Sequence, residues 1–466
     1  MSRDTRPINP ITEGAIWKQL LLFFYPILLG TFFQQLYNTA DAIIVGHFVG
    51  KEALAAVGGA TSVLINFLVN LFMGVSSGAT VVISQYYGAR DLDNVERAVH
   101  TAVALALAAG AAFSVVGLAF SRTALLAMGT PGDILGYALT YLRIYFFGTI
   151  ASFLYNIGSG VLRAVGDTKR PLYFLIVACL VNIALDLLFV VKLRMGVMGV
   201  ATATVISQVV SAVLVLMALC KKGSVYQLDP RRIRFYPGIL GAILRIGFPA
   251  GLQSDMYVLS NIFIQSCINS FGTNVVAAWT AFGKIDGFYW MVSAAYGLSI
   301  TTFVGQNFGA QKYDRIRKSV RVCLWMLLGS TVVICSFFCA FARPLLGLFT
   351  EDAEVLRWGS LMMFHMVPFY FTYVLIEILS GAIRGAGEAL RPMFLVGSGV
   401  CALRVLWVFF VLPLDRRLET LLVSYPVSWV ITSALFALYY LRFGWLRRQI
   451  ALRGFTPLGT PPAPEE

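Results

Sequence analysis

Gly160-Val-Leu-Arg163-Ala-Val-Gly166-Asp167-Thr-Lys-Arg170-Pro171 recurs as Gly381-Ala-Ile-Arg384-Gly-Ala-Gly387-Glu388-Ala-Leu-Arg391-Pro392. The offset is 221 residues (381 less 160), and the same offset carries Gln85-Tyr-Tyr-Gly88-Ala89 onto Gln306-Asn-Phe-Gly309-Ala310. Nearer the start, Pro26 and Asn38 match Pro249 and Asn261 at an offset of 223, which a two-residue deletion explains. Three separated blocks in one order identify two copies of one unit.

Each copy is mostly apolar. The 466 residues are 58% hydrophobic and only 13% charged, too little charge to cover a water-soluble protein of this length. Apolar stretches of ~20 residues, the length that crosses a bilayer as a helix, recur along almost the whole chain. Transmembrane strands would instead read as alternating segments of ~10 residues, and none is seen. The pattern predicts an all-α polytopic membrane protein with twelve transmembrane helices as two six-helix repeats. The spans fall near 16–46, 53–84, 97–121, 134–162, 171–191, 196–220, 239–270, 275–304, 318–342, 355–383, 392–413 and 420–443. The implied divisions are an N-terminal tail (1–15), an N-lobe (16–220), a linker (221–238), a C-lobe (239–443) and a C-terminal tail (444–466). Six spans per copy is an even number, so both copies face the same way, a plan used by transporters built from parallel repeats.

The net charge of +13 raises the question of nucleic acid, and its placement answers it. With both termini inside, eight of the 36 Lys and Arg lie on the outer side: Lys51, Arg122, Lys192, Arg194, Arg343, Arg357, Arg416 and Arg417. Arg143, Arg245, Lys284 and Arg404 fall within spans, which leaves 24 on the cytosolic side. That bias sets the orientation and locates the chain in a cytoplasmic (inner) membrane with cytosolic tails and linker. The basic excess is topological, and no nucleic-acid partner is implied.

Seven cysteines and the scattered His47, His100 and His365 show neither a disulfide framework nor metal-ligand spacing. No nucleophile–base pair or phosphate loop is present, so an enzyme and an organic cofactor are not expected. The repeated motifs read first as scaffold. Gly88 and Gly309 would end the second helix of each copy, and Pro171 and Pro392 would start the fifth. Arg163 with Asp167, and Arg384 with Glu388, would pair at a cytosolic loop.

Acids inside spans are another matter, since each costs ~2.5–3.5 kcal/mol even on the gentler insertion scale. Asp41, Asp186, Asp255, Asp286 and Glu377 are such acids. In the other copy Asp41 corresponds to Ile264, Asp186 to Trp407, Asp255 to Phe32 and Glu377 to Asn156. Scaffold is duplicated and these four are not, which favours function. Thr31, Gln34, Tyr37 or Asn38, and Asp41 recur at helical spacing on the first span, so Gln34 and Asn38 are expected to line a cavity beside Asp41. Asn182 and Asp186 share a face of the fifth span, as Thr204 and Gln208 do on the sixth. Pro26 lies inside the first span and permits a kink there, a candidate hinge. Asp286 reads as a local ion pair with Lys284. A polar knot joining helices is the structural alternative for Asp41 and Asp186.

These blocks, with Pro26 and Asp41, resemble the multidrug and toxic compound extrusion (MATE) family over residues 14–445. The resemblance implies a V-shaped pair of six-helix bundles that exports organic cations in exchange for Na⁺ or H⁺. Carried over residue by residue, it implies a cation site at Asp41, Asn182, Asp186 and Thr204, able to hold Na⁺ or a proton. Asp255 and Glu377 are candidate C-lobe acids for substrate or cation. The expected function is secondary active antiport of small organic, cationic compounds by alternating access. A monomer in the lipid bilayer suffices for it. A flippase for a lipid-linked oligosaccharide or peptidoglycan precursor is the alternative; the mainly acidic embedded charges favour cationic cargo.

Overall fold

A computed structural model describes residues 9–442 and 444–453; the ends of both expected tails, 1–8 and 454–466, lie outside the described residues. Among the described residues all regular structure is helical, arranged as twelve long segments from Ile16–Phe48 to Leu418–Arg442. Eight are helices long and apolar enough to cross a bilayer, and ten when two bent pairs each count as one span. The other two, Pro237–Asn269 and Thr273–Gly309, have 33 and 37 residues but are diluted by polar ones, Gln253, Asp255 and Asn261 in one, Lys284 and Asp286 in the other.

The repeat extends to the irregularities. The fourth span bends by 50° between Gly132–Phe147 and Thr149–Ala164, and the tenth by 42° between Ala353–Thr372 and Val374–Gly385. At the first bend the Phe146 carbonyl accepts from Ser114 Oγ at 2.6 Å and Thr149 Oγ1 at 2.8 Å. Hydroxyls there replace bonds that the helix break removes. At the second, Cys335 Sγ lies 3.1 Å from the Val367 carbonyl and Ser433 donates to that of Thr372.

The scaffold motifs act with two corrections. The second and eighth spans do end at Gly88 and Gly309, but the left-handed residues follow two places later, at Arg90 (φ 59°) and Gln311 (φ 58°). Backbone relief by glycine comes instead at Gly166 (φ 99°) and Gly387 (φ 93°). Those turns redirect the acids that follow. Asp167 pairs with Arg170 at 3.2 Å and Glu388 with Arg391 at 2.9 Å, not with Arg163 and Arg384. Arg163 and Arg384 are carried inward on the helices before the turn, and the Nε of each is buried without a hydrogen bond among the described residues.

By proximity of Cα atoms the chain forms two compact units, one of Tyr25–Gly251 and one of Leu252 onward together with the start of the chain up to Phe24. In the first, the second and seventh spans cross at glycines. A methyl group added at Gly74 would occupy the space of the Gly251 amide nitrogen; one added at Gly78 would meet the Ile243 carbonyl and the backbone of Gly247. Small residues four apart on both helices permit this approach of backbones. Phe72 and Phe153 stack beside it with centroids 3.6 Å apart. The linker belongs to this unit: Asp229 N donates to His100 Nε2 at 3.0 Å, and Tyr236 N to Thr101 Oγ1 at 3.3 Å.

In the second unit the short helix Pro10–Glu13 is tied down by side chains of the ninth span. Arg315 Nε and Nη2 donate to the Ile11 carbonyl at 3.1 and 3.0 Å, and Lys312 Nζ to that of Thr12 at 3.0 Å. Asn9 Nδ2 donates to Gln306 Oε1 at 3.0 Å. Farther along the same stretch of chain, Phe24 stacks on Tyr296 with centroids 4.1 Å apart.

Candidate functional site

Asp41, Asn182, Asp186 and Thr204 come together in the first unit although they lie on three spans. Asp41 is 6% exposed, Thr204 1%, and Asn182 and Asp186 not at all. Thr204 Oγ1 lies 3.3 Å from Asp41 Oδ2 and 3.0 Å from the Val200 carbonyl, so its single proton has two acceptors. Asp186 and Asn182 also face the Asp41 carboxylate. Asp41 Oδ1, both oxygens of Asp186 and both polar atoms of the Asn182 amide carry no hydrogen bond among the described residues.

Local structure explains the convergence. Asn182 and Asp186 stand one turn apart on Lys169–Asp186, and the chain then widens into a π-helical turn over Leu187–Lys192. Such turns are rare and concentrate at functional positions. The surrounding wall is apolar, with Ile44, Val45, Val190 and Val197 packed as one cluster. The donor set is therefore all oxygen apart from one amide nitrogen: two carboxylates, one amide carbonyl and one hydroxyl. That chemistry suits a hard cation such as Na⁺ or a shared proton.

The polar stripe of the first span divides. Gln34 and Asn38 are exposed, whereas Thr31 donates back to the Ile27 carbonyl at 3.1 Å. Tyr37, one turn before Asp41, joins Tyr141 of the fourth span beside Asp41 and Thr204. Pro26 lies within the continuous helix Ile16–Phe48.

In the second unit the two candidate acids occupy separate places. Asp255 is buried with both oxygens unpartnered among the described residues. Glu377 faces Tyr373 and Arg384 and presses on Gly297, where an added methyl group would collide with its Oε1. Asp286 does not pair with Lys284, which is exposed. Its Oδ2 accepts from Trp290 Nε1 at 2.7 Å and its Oδ1 from the Tyr370 hydroxyl. Asp286 opens on a cavity of about 390 Å³ walled by aromatic rings, among them Tyr257, Trp279, Trp290, Tyr373, Tyr425 and Trp429.

Two copies of one family domain lie on this chain: the MatE family profile matches residues 26–188 and again 249–410. The chain is a member of the MatE family. It is 28% identical over 450 residues to the probable multidrug resistance protein YoeA of Bacillus subtilis, covering 94% of this chain and 96% of that protein. It is 24% identical to a FAD transporter of Shewanella oneidensis, covering 92% and 95%. A solved outward-facing multidrug resistance MATE transporter superposes with a TM-score of 0.88 at 23% identity, over 97% of this chain and all of that one. This MATE protein is thus a membrane transporter and not an enzyme.

Sequence reasoning placed Tyr37 on the polar stripe and Arg404 within a span without giving either a role, and it passed over Tyr141 of this MATE chain. With 14% aromatic residues, no single tyrosine stands out. Arg404 did carry a signal, as a cation inside a span without an acid one turn away on its own helix. Arg404 is 3% exposed and also lines the aromatic cavity.

Proposed function

We propose that this MATE transporter is an antiporter that exports organic, cationic compounds in exchange for H⁺ or Na⁺, with Asp41 and Asp186 as the coupling pair. The observation that carries the reading is the buried cluster of two carboxylates, three of whose four oxygens have no donor among the described residues. Two carboxylates side by side in low dielectric do not both remain charged unless a cation or a shared proton lies between them. Asn182 and Thr204 complete the ligand set for that ion. Asp255 and Glu377 are proposed as secondary acids of the C-lobe. The name of YoeA supports drug-like cargo for this chain. The name of the Shewanella protein supports a cargo range wider than cations. One embedded cavity arginine is too few for a flippase of polyanionic headgroups.

The Lys and Arg distribution supports an inner-membrane orientation with cytosolic termini and linker. The division into N-lobe, linker and C-lobe follows the repeat, and a monomer holds the whole coupling cluster. Efflux from proteoliposomes, with ΔpH and ΔNa⁺ imposed separately, tests the function. One gradient is expected to drive accumulation and the other not. One-for-one exchange of H⁺ with a monovalent cation is electroneutral, so it gives about tenfold accumulation per pH unit. Efflux indifferent to both gradients would remove the antiport reading.

Pro26 supplies the mechanical part of the proposal. It removes one backbone hydrogen bond from the first span, fifteen residues (41 less 26) before Asp41. A cation on Asp41 removes the reason to keep the face at Gln34 and Asn38 hydrated, and the helix then bends at Pro26 and releases cargo outward. Pro26→Ala is expected to keep substrate affinity while cutting its dependence on cation from about tenfold to less than about threefold. Binding isotherms with and without Na⁺, at several pH values, measure this. Equal cation dependence in both proteins would discard the hinge.

A further inference from the structure

We propose that the aromatic cavity of the second unit binds a planar aromatic ligand with a carboxylate at one end and an ammonium at the other. Arg404 takes the carboxylate and Asp286 the ammonium. The inference rests on the transporter reading above and narrows its cargo at this cavity from a plain cation to one that also carries a carboxylate.

Arg404 carries the argument. Its guanidinium lies 3.9 Å from the centroid of Tyr425 and 5.6 Å from that of Trp429. Its Nε donates to Ser428 Oγ at 3.0 Å, and among the described residues its Nη groups have neither a hydrogen bond nor a carboxylate partner. Ring faces stabilise the charge but do not accept the remaining N–H donors in the plane of the fork. A buried cation with free parallel donors is the receptor geometry for a carboxylate.

Asp286 is the complementary end. Each of its oxygens accepts one neutral donor, Trp290 Nε1 or the Tyr370 hydroxyl, and a carboxylate has about four acceptor sites. The spare sites suit an ammonium. Both residues line the cavity and, among the described residues, no ion pair joins them, so it presents a plus and a minus separately. A purely cationic ligand leaves Arg404 unserved, and a purely anionic one faces Asp286. Among the lining rings, Trp290 stands edge-on to Tyr373 at 87° with centroids 4.8 Å apart, giving walls for a flat ring. The volume of about 390 Å³ falls at the small end of ligand pockets.

The test uses the full-length protein in lipid nanodiscs and calorimetric titration, with no ion gradient. Three probes share one scaffold: an aminomethyl-naphthoate with its charges at opposite ends, its methyl ester and its N-acetyl derivative. The doubly charged probe is expected to bind at least about tenfold more tightly than either capped one. Arg404→Gln should erase its advantage over the ester, and Asp286→Asn its advantage over the acetyl compound. Equal affinity of wild type for all three probes overturns the proposal, and so does a uniform loss in both variants. If Arg404→Gln does not fold, the ranking in wild type decides. Probe binding without driven efflux would sink the antiporter reading alone; driven efflux without probe discrimination would sink this one alone.

Discussion

Asp41→Asn and Asp186→Asn each lower gradient-driven efflux by about a hundredfold while leaving the protein folded. An amide matches a carboxylate in shape but neither binds and releases a proton nor neutralises Na⁺. A coupling ion that favours one conformation by about 2.7 kcal/mol shifts its population about a hundredfold, and the amide removes that shift. Folding survives for a reason specific to this cluster. Asp41 Oδ1 and both Asp186 oxygens lack donors, so little native bonding is lost. A neutral amide is also easier to bury than a charge. The melting temperature of the purified variants should therefore equal or exceed that of wild type. Thr204→Val, which removes one ligand and no charge, should cost less. Full efflux by either aspartate variant would reduce that residue to a packing role, and a collapsed melting temperature would mark the polar knot as structural.

The second large effect is on assembly. Gly251→Leu should abolish recovery of monodisperse protein, because a side chain there meets the Leu71 carbonyl and Cα. The obstruction is backbone of another helix, so no rotamer change relieves it, and the cost exceeds the ~1–3 kcal/mol usual for overpacking. Gly74→Leu should do the same from the other side of the crossing. Gly283→Ala and Gly287→Ala, with nothing within 4 Å of the added carbon, are the matched controls. Size-exclusion profiles after detergent extraction give the readout. A monodisperse, stable Gly251→Leu protein would show that the second and seventh spans need not approach so closely.

What the sequence made legible follows from what repeats reveal. Span number and the repeat are imposed by hydrophobic length and by duplicated segments, whereas the bends of the fourth and tenth spans, at 147–149 and 372–374, lie outside the duplicated blocks and were not read. The unduplicated acids were visible by contrast; spacing put Asn182 and Asp186 on one face, but only the family resemblance implied that Asp41 and Thr204 join them. Side-chain partners were harder. Asp167 looked like a loop partner for Arg163, but the helix that carries Arg163 runs on to Ala164 and Gly166 then turns the chain by its positive φ. Asp286 sat two residues from Lys284, yet residues two apart point to different sides of a helix, and its true partners come from Trp290 and the distant Tyr370. Arg404 became meaningful only when the twelfth span placed Tyr425, Ser428 and Trp429 around it.

The anchoring of residues 9–24 has a consequence for the order in which the molecule is made. Asn9, Thr12 and Ile11 bond to residues 297, 300 and 304 positions later. At ~5–20 residues per second, roughly 15–60 s pass between synthesis of this segment and synthesis of its partners. The unit of Tyr25–Gly251, by contrast, has all its parts once the ribosome reaches the seventh span. This segment is therefore made well before the residues that seat it, and it must wait at the membrane with its partners unmade. A gene cut within the 221–238 linker would yield a first product missing one arm of its glycine crossing, Gly247 and Gly251. The second product would lack its docked N-terminal helix. Neither fragment is a self-sufficient half, so each should persist in cells only when the other is co-expressed.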